Sequence, residues 1–192
     1  MQRKPTWGTC AGLILLAESA NKTKKGGQEL IGGLDVRVNR NHFGRQVESF
    51  QQALDLPFLG STPDKAANSP FRCVFIRAPV VEKVLRPRSG IQVEEASREE
   101  TVVAPSQSPV DEFAKEQQGA PVEVLAKLRS HTNVKDNATN HDSRDDDIIA
   151  VRQGNVFGTS FHPELTEDPR IHVWWLENVL KTIERRKKYE GC

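Results

Sequence analysis

Cys10 stands between two glycines, in Gly8-Thr9-Cys10-Ala11-Gly12, and an aliphatic run from Leu13 to Ala17 follows. The pattern is that of a nucleophile elbow: a strand, a sharp turn with one reactive side chain at its apex, then a helix. In such a turn the backbones approach closely, which residues without a Cβ permit. A thiol at a helix N-terminus also feels the helix dipole, which favours the thiolate. The same five residues would equally describe a small buried cysteine in a glycine-bordered turn.

A second chemical cluster lies far downstream, in Thr159-Ser160-Phe161-His162-Pro163-Glu164. His162 and Glu164 are two residues apart, so in extended backbone their side chains share a face. Pro163 between them stiffens the chain and forbids a helix through this point. An imidazole beside a carboxylate is what a base and its orienting acid require, with the carboxylate fixing the tautomer and the other ring nitrogen taking the nucleophile's proton. Taken alone, the segment also reads as a surface turn. Taken with the elbow, a Cys10-His162-Glu164 triad explains both. Ser160 is a rival nucleophile without the second elbow glycine. Metal binding is the weaker reading, because no second His or Cys stands at a ligand-like spacing. His42, His131, His141 and His172 lack such a context and read as surface residues.

The elements that must position these groups are legible as periodicity. Strands are predicted over Lys4–Thr9, Leu34–Val38, Phe43–Phe50, Phe71–Ile76 and Val122–Leu128. Ile148–Val151 and Asn155–Phe161 form a further pair, joined by a turn at Gln153-Gly154. Helices are predicted over Ala11–Ser19 and Pro169–Tyr189, the second with Asp168 as N-cap and an apolar stripe containing Trp174 and Trp175. Cys73 falls inside a strand and reads as core. Residues 86–118 lose apolar periodicity to Pro, Ser, Glu and Gln and are predicted to be a disordered insertion. The rest of 1–192 is expected to form a single domain.

The 27 basic and 26 acidic residues nearly cancel, and no basic stripe with interleaved aromatics suggests nucleic acid. No apolar run is long enough to span a membrane, and no signal peptide opens the chain. Three widely spaced cysteines make neither a disulfide framework nor a metal pair, so a reducing, cytoplasmic setting is expected.

Five motifs occur in one order: Gly8-Thr9-Cys10-Ala11-Gly12-Leu13-Ile14, Gly33-Leu34-Asp35, Arg40-Asn41-His42-Phe43-Gly44-Arg45-Gln46, Phe75-Ile76-Arg77-Ala78-Pro79 and Ser160-Phe161-His162-Pro163-Glu164-Leu165-Thr166. Together they resemble the glutaminase subunits of pyridoxal 5′-phosphate synthase, within the type 1 glutamine amidotransferases. Ile14 stands where relatives in other pathways usually carry Gln, which points to the vitamin B6 branch. It also argues, with the Arg40 motif, against a γ-glutamyl peptidase.

The resemblance implies an α/β, three-layer, flavodoxin-like fold. It implies hydrolysis of L-glutamine to glutamate and ammonia, with Cys10 as nucleophile, His162 as proton carrier and Glu164 as its orienting acid. Arg40, Ile76 and Arg77 match substrate-contacting positions, and the Ala11 N–H matches an oxyanion donor. Structural ion pairing is the other role open to both arginines. No cofactor is implied. The implied partner is a (β/α)₈ synthase subunit in a large hetero-oligomer, which takes the ammonia.

Family members carry a segment before the elbow that supplies the first strands and a second oxyanion loop. The resemblance therefore implies a fold incomplete at its N-terminus, an N-terminally truncated form. Loss of one oxyanion donor typically costs on the order of 10²–10³ in rate. The alternative function is a catalytically impaired isoform that only binds the synthase.

Overall fold

Apolar strands and helices along the chain build a sheet with a hydrophobic core on each face. A computed structural model describes residues 4–22, 28–40, 49–60, 69–87, 92–129 and 146–190. In chain order the strands are β1 (Thr6–Thr9), β2 (Ala17–Asn21), β3 (Leu34–Asn39), β4 (Phe50–Leu54), β5 (Phe71–Phe75), β6 (Val80–Val84), β7 (Thr101–Val103), β8 (Val122–Leu128), β9 (Asp147–Gln153) and β10 (Val156–Thr159). The helices are α1 (Ala11–Leu16), α2 (Val93–Ala96), α3 (Glu112–Gly119) and α4 (Arg170–Glu190).

Among the described residues the main sheet runs β1-β10-β9-β6-β3-β2-β7, with β8 also paired to β9, and β4 and β5 form a separate hairpin. The β1–β10 and β2–β3 pairs are parallel; the other pairs are antiparallel.

Neighbouring residues of β10 face opposite layers, as a pleated strand requires. Phe157 joins a core with Phe71, Phe75, Phe161 and Ile171, against which Trp7, Trp174 and Trp175 pack. Val156 joins the core on the other face, with Leu13 and Leu16 of α1 and Val36 and Val38 of β3. The result is a three-layer α/β fold of the flavodoxin-like class: α4 and the β4–β5 hairpin on one side, the sheet, and α1 on the other. No helix of the described residues is long and apolar enough to cross a membrane.

Most predicted elements are found within a few residues. The helix expected over Ala11–Ser19 is shorter, because Ala17 turns to extended backbone (φ −70°, ψ 148°) and the chain enters β2 at once. Pairing of β2 with both β3 and β7 outweighs the helix propensity of Ala17-Glu18. In the strand expected over Phe43–Phe50, residues 43–48 lie outside the described residues, as do His42, His131, His141 and Cys192. His172 is no free surface residue: its ring packs 5.3 Å from that of Trp7.

The sequence predicts disorder over residues 86–118; among the described residues of that span, α2, β7 and most of α3 are found instead, tied into the fold. The ties are polar. Arg37 of β3, 7 % exposed, donates through Nη1 to Glu95 Oε2 of α2 (2.8 Å), Thr101 Oγ1 of β7 (3.1 Å) and Ser19 Oγ (3.0 Å). The Ser19 hydroxyl donates in turn to Glu95 at 3.0 Å. Farther along, Gln153 Nε2 donates to Asp35 Oδ2 (2.7 Å) and to the carbonyl of Ala120 just beyond α3 (3.0 Å). Buried apolar side chains add to these ties: Ala104 packs with Ala20 and Leu30, and Phe113 and Ala114 are buried.

Burial raises the Glu95 carboxyl, but the Ser19 hydroxyl and the Arg37 guanidinium outweigh it and hold the group below the usual range. A depressed carboxyl stabilises the fold above the ordinary glutamate value of about 4.3, and that contribution is lost as pH falls through the folded value. Glu95→Ala leaves Arg37 buried with only Glu82 as a charged partner (Nε–Oε2 3.1 Å). The expected cost is about 3 kcal/mol. Urea unfolding at pH 7 checks it, and the gap from the parent protein should close towards pH 3.

Candidate active site

The elbow forms because β1 and α1 meet at almost no separation. A Cβ on Gly8 would lie 2.5 Å from the carbonyl carbon and oxygen of Gly12 and 2.7 Å from Leu16 Cδ1. Gly12 itself has nothing within 4 Å of where its Cβ would stand. The space requirement is therefore one-sided: Gly8 makes the room, and the Gly12 main chain fills it. Between them Cys10 takes φ 48°, ψ −104°, outside the helix it precedes. An L residue at positive φ is strained, and such strain is found where the surrounding structure fixes a functional conformation.

Parallel pairing carries the histidine segment to this apex. The β1–β10 register runs from Thr6↔Val156 to Thr9↔Thr159, and the Cys10 N–H then donates to the Thr159 carbonyl at 2.8 Å. Trp7 Nε1 donates to Thr159 Oγ1 (3.2 Å), and that hydroxyl donates to the Phe161 carbonyl (3.3 Å). The His162 N–H is held by the Val74 carbonyl of β5 at 2.8 Å. The imidazole Nδ1 lies 2.7 Å from Glu164 Oε1, across the short 3₁₀ turn Pro163–Leu165. With the Nδ1 proton shared with that carboxylate, Nε2 is left as the basic nitrogen.

The end of β5 supplies the third wall. Cys10 Sγ donates to the Ile76 carbonyl at 3.8 Å. Arg77, at φ 45°, is another strained non-glycine residue of the site and is close enough to act on the thiol. Burial pushes the Cys10 thiol above its ordinary range. The Ala11 amide pulls it back down, the Glu164 charge raises it and Arg77 lowers it. The net direction is opposite to that expected from the helix dipole, because α1 is short and the thiol half-buried. Burial thus favours the neutral form of the Cys10 thiol.

Five expected site residues, Cys10, Ala11, Arg77, His162 and Glu164, thus act on or stand beside one another, and Ile76 joins them through its carbonyl. Arg40 Nη2 donates to the Gln28 carbonyl (3.3 Å) and its main-chain N–H to Asn21 Oδ1 (2.8 Å), while its buried Nε has no partner among the described residues. Sequence reading missed Trp7 and Thr159, which join the two halves of the site, and the Val74 carbonyl. Thr159 adjoins the histidine motif and could have been suspected from that. A main-chain carbonyl leaves no signal in residue types.

A cysteine on a strained elbow, with a His–Glu pair just beyond the parallel strand beside it, is an arrangement suited to a cysteine hydrolase. A solved structure described as "Crystal structure of glutamine amidotransferase" superposes with a TM-score of 0.54 at 34% identity, over 90% of this chain and 59% of that one. Residues 1–113 and 111–181 match the SNO glutamine amidotransferase family, and the chain belongs to it. It is 37% identical over 190 residues to the probable pyridoxal 5′-phosphate synthase subunit PDX2 of Arabidopsis thaliana, covering 95% of this chain and 60% of that protein. It is also 37% identical over 177 residues to the pyridoxal 5′-phosphate synthase subunit PdxT of Methanosarcina acetivorans, covering 92% and 60%. The chain thus spans about 60% of the length of these curated relatives.

Four outcomes follow from the geometry. Alkylation of Cys10 by iodoacetamide should rise with pH to a midpoint above the ordinary thiol value of about 8.5. Glu164→Gln should shift that midpoint down, since it removes a like charge. Cys73, fully buried with its thiol pushed up to about 12, should stay unmodified until the protein unfolds. Thr159→Val strips Trp7 Nε1 of its acceptor and should lower unfolding free energy by roughly 1–3 kcal/mol, read by chemical denaturation.

Proposed function

We propose that this chain is a glutaminase that hydrolyses L-glutamine to L-glutamate and ammonia and hands the ammonia to a synthase subunit for pyridoxal 5′-phosphate formation. The observation that carries the reading is the Cys10 elbow hydrogen-bonded to the strand that ends in the paired His162 and Glu164. In this mechanism His162 Nε2 takes the proton of the Cys10 thiol as Sγ attacks the side-chain amide carbon of glutamine. The oxyanion that forms is met by the Ala11 N–H at the start of α1. His162 then returns the proton to the departing nitrogen, which leaves as ammonia from a glutamyl thioester. A water molecule, deprotonated by the same imidazole, attacks the thioester and releases glutamate and the thiol. Glu164 keeps Nδ1 protonated and stabilises the imidazolium between steps.

Arg77 follows Ile76, whose carbonyl meets the thiol, and its guanidinium suits the substrate α-carboxylate. Ile76 borders the same space. Arg40, whose buried Nε has no partner among the described residues, is a second carboxylate donor. No cofactor enters this chemistry. The partner is a (β/α)₈ synthase subunit in a large assembly; relatives described as synthase subunits support that assignment.

A second reading, synthase binding without turnover, is favoured by one observation. The Cys10 thiol donates to the Ile76 carbonyl, not to His162, and burial raises it. One assay separates the two. Glutamate release is measured with and without the synthase subunit, beside Cys10→Ala. Catalysis predicts a loss on the order of 10³ or more in the variant. Release equal to the variant's, with co-purification of the synthase retained, establishes the second reading instead.

A further inference from the structure

The imidazole of His162 leaves the main chain directly after a peptide unit that is gripped from two sides. We propose that Thr159 is a positioning residue for His162: its side-chain hydroxyl, held by the Trp7 indole, sets the orientation of that peptide and so the direction of the base. This role rests on the glutaminase reading of Cys10 and His162 and names the group that keeps the base in place.

The unit is the peptide between Phe161 and His162. Its N–H donates to the Val74 carbonyl of β5 at 2.8 Å, and its carbonyl accepts from the Thr159 hydroxyl at 3.3 Å. The described residues contain no cis peptide bond, so these two groups point in opposite directions. Turning the peptide plane therefore breaks both bonds at once. On the other side of the His162 Cα, the His162 carbonyl accepts from the Leu165 N–H at 3.3 Å. Pro163 restricts that same backbone, and His162 stands at φ −106°, ψ 87°. With both flanking peptides fixed, the Cα–Cβ bond has one direction, and Glu164 has only the ring left to orient.

Thr159 is fully buried, so bulk water does not compete for its hydroxyl. A hydroxyl has one proton to give and two lone pairs. Trp7 Nε1 donates to it at 3.2 Å, which leaves its proton for the Phe161 carbonyl. The indole is itself wedged among rings, 5.2 Å from Phe157, 5.3 Å from His172 and 5.9 Å from Trp175 by centroid. The main-chain carbonyl of the same threonine accepts the Cys10 N–H at 2.8 Å. One residue thus holds the nucleophile through its main chain and the base through its side chain. A change confined to the hydroxyl disturbs the base alone.

The test is steady-state glutamine hydrolysis by the intact chain with the synthase subunit, well below the unfolding temperature. Thr159→Val keeps the shape and the main-chain carbonyl but not the hydroxyl. Its kcat should fall roughly 10–100-fold with KM little changed. Thr159→Ser keeps the hydroxyl and should recover most of kcat, although it loses a buried methyl group. Trp7→Phe should show a smaller loss of the same kind. Proton NMR supplies a second readout: the low-field resonance of the proton between His162 Nδ1 and Glu164 should persist in Thr159→Ser and be lost in Thr159→Val. A parent-like kcat in Thr159→Val, equal impairment in Thr159→Ser, or a rise in KM at unchanged kcat overturns the proposal. Should Thr159→Val not fold, Trp7→Phe decides by the same measures, a parent-like kcat overturning it. If the parent releases no more glutamate than Cys10→Ala, the glutaminase reading fails; the resonance then judges the positioning role, and its persistence in Thr159→Val overturns it.

Discussion

Gly8 lies so close to the Gly12 main chain that no side chain can stand between them, and the geometry of the site descends from that closeness. It sets the angle at which β1 gives way to α1. It forces Cys10 to positive φ at the apex, with its N–H turned to the Thr159 carbonyl. Once that bond is made, the register of β1 on β10 is fixed. The residues that follow Thr159 then emerge beside the thiol. A single backbone contact thereby converts two motifs at opposite ends of the sequence into neighbours.

Two different kinds of cohesion hold the layers around this point. Aromatic and aliphatic side chains fill both faces of β10: Phe157 sits 4.9 Å from Trp174 by ring centroid, and Val156 packs with α1 on the reverse. The segment holding α2, β7 and α3 is attached instead by buried charge and amide groups centred on Arg37 and Gln153. Apolar packing tolerates small changes of shape. A buried ion pair tolerates little, because each partner is costly without the other. The sheet edge at β2 and β7 is therefore the stiffer chemical commitment, although it contains fewer large side chains.

This division explains what could be read from residue order. The elbow, the His162-Pro163-Glu164 segment, β8 and α4 each carry a local signature: bordering glycines, a stiffening proline, alternation, or a capped apolar stripe. α2 carries none, since an apolar pattern cannot register Glu95 meeting Arg37 across 58 positions, whereas α3 carries the Asp111 N-cap, which accepts from the Ala114 N–H (2.7 Å). The early end of α1 was hidden for a related reason, because Ala17 and Glu18 favour helix and only strand partners far along the chain override them. The direction of the Cys10 thiol was likewise invisible, being set by burial and by Glu164 and Arg77, which only folding brings near.

The β1–β10 pairing has a further consequence, in time. β1 leaves the ribosome well before β10, and closing so long a loop is entropically costly, so contacts of this kind form late. Until β10 is made the elbow has no opposite strand, and Cys10 has neither its Thr159 anchor nor the His162 segment beside it.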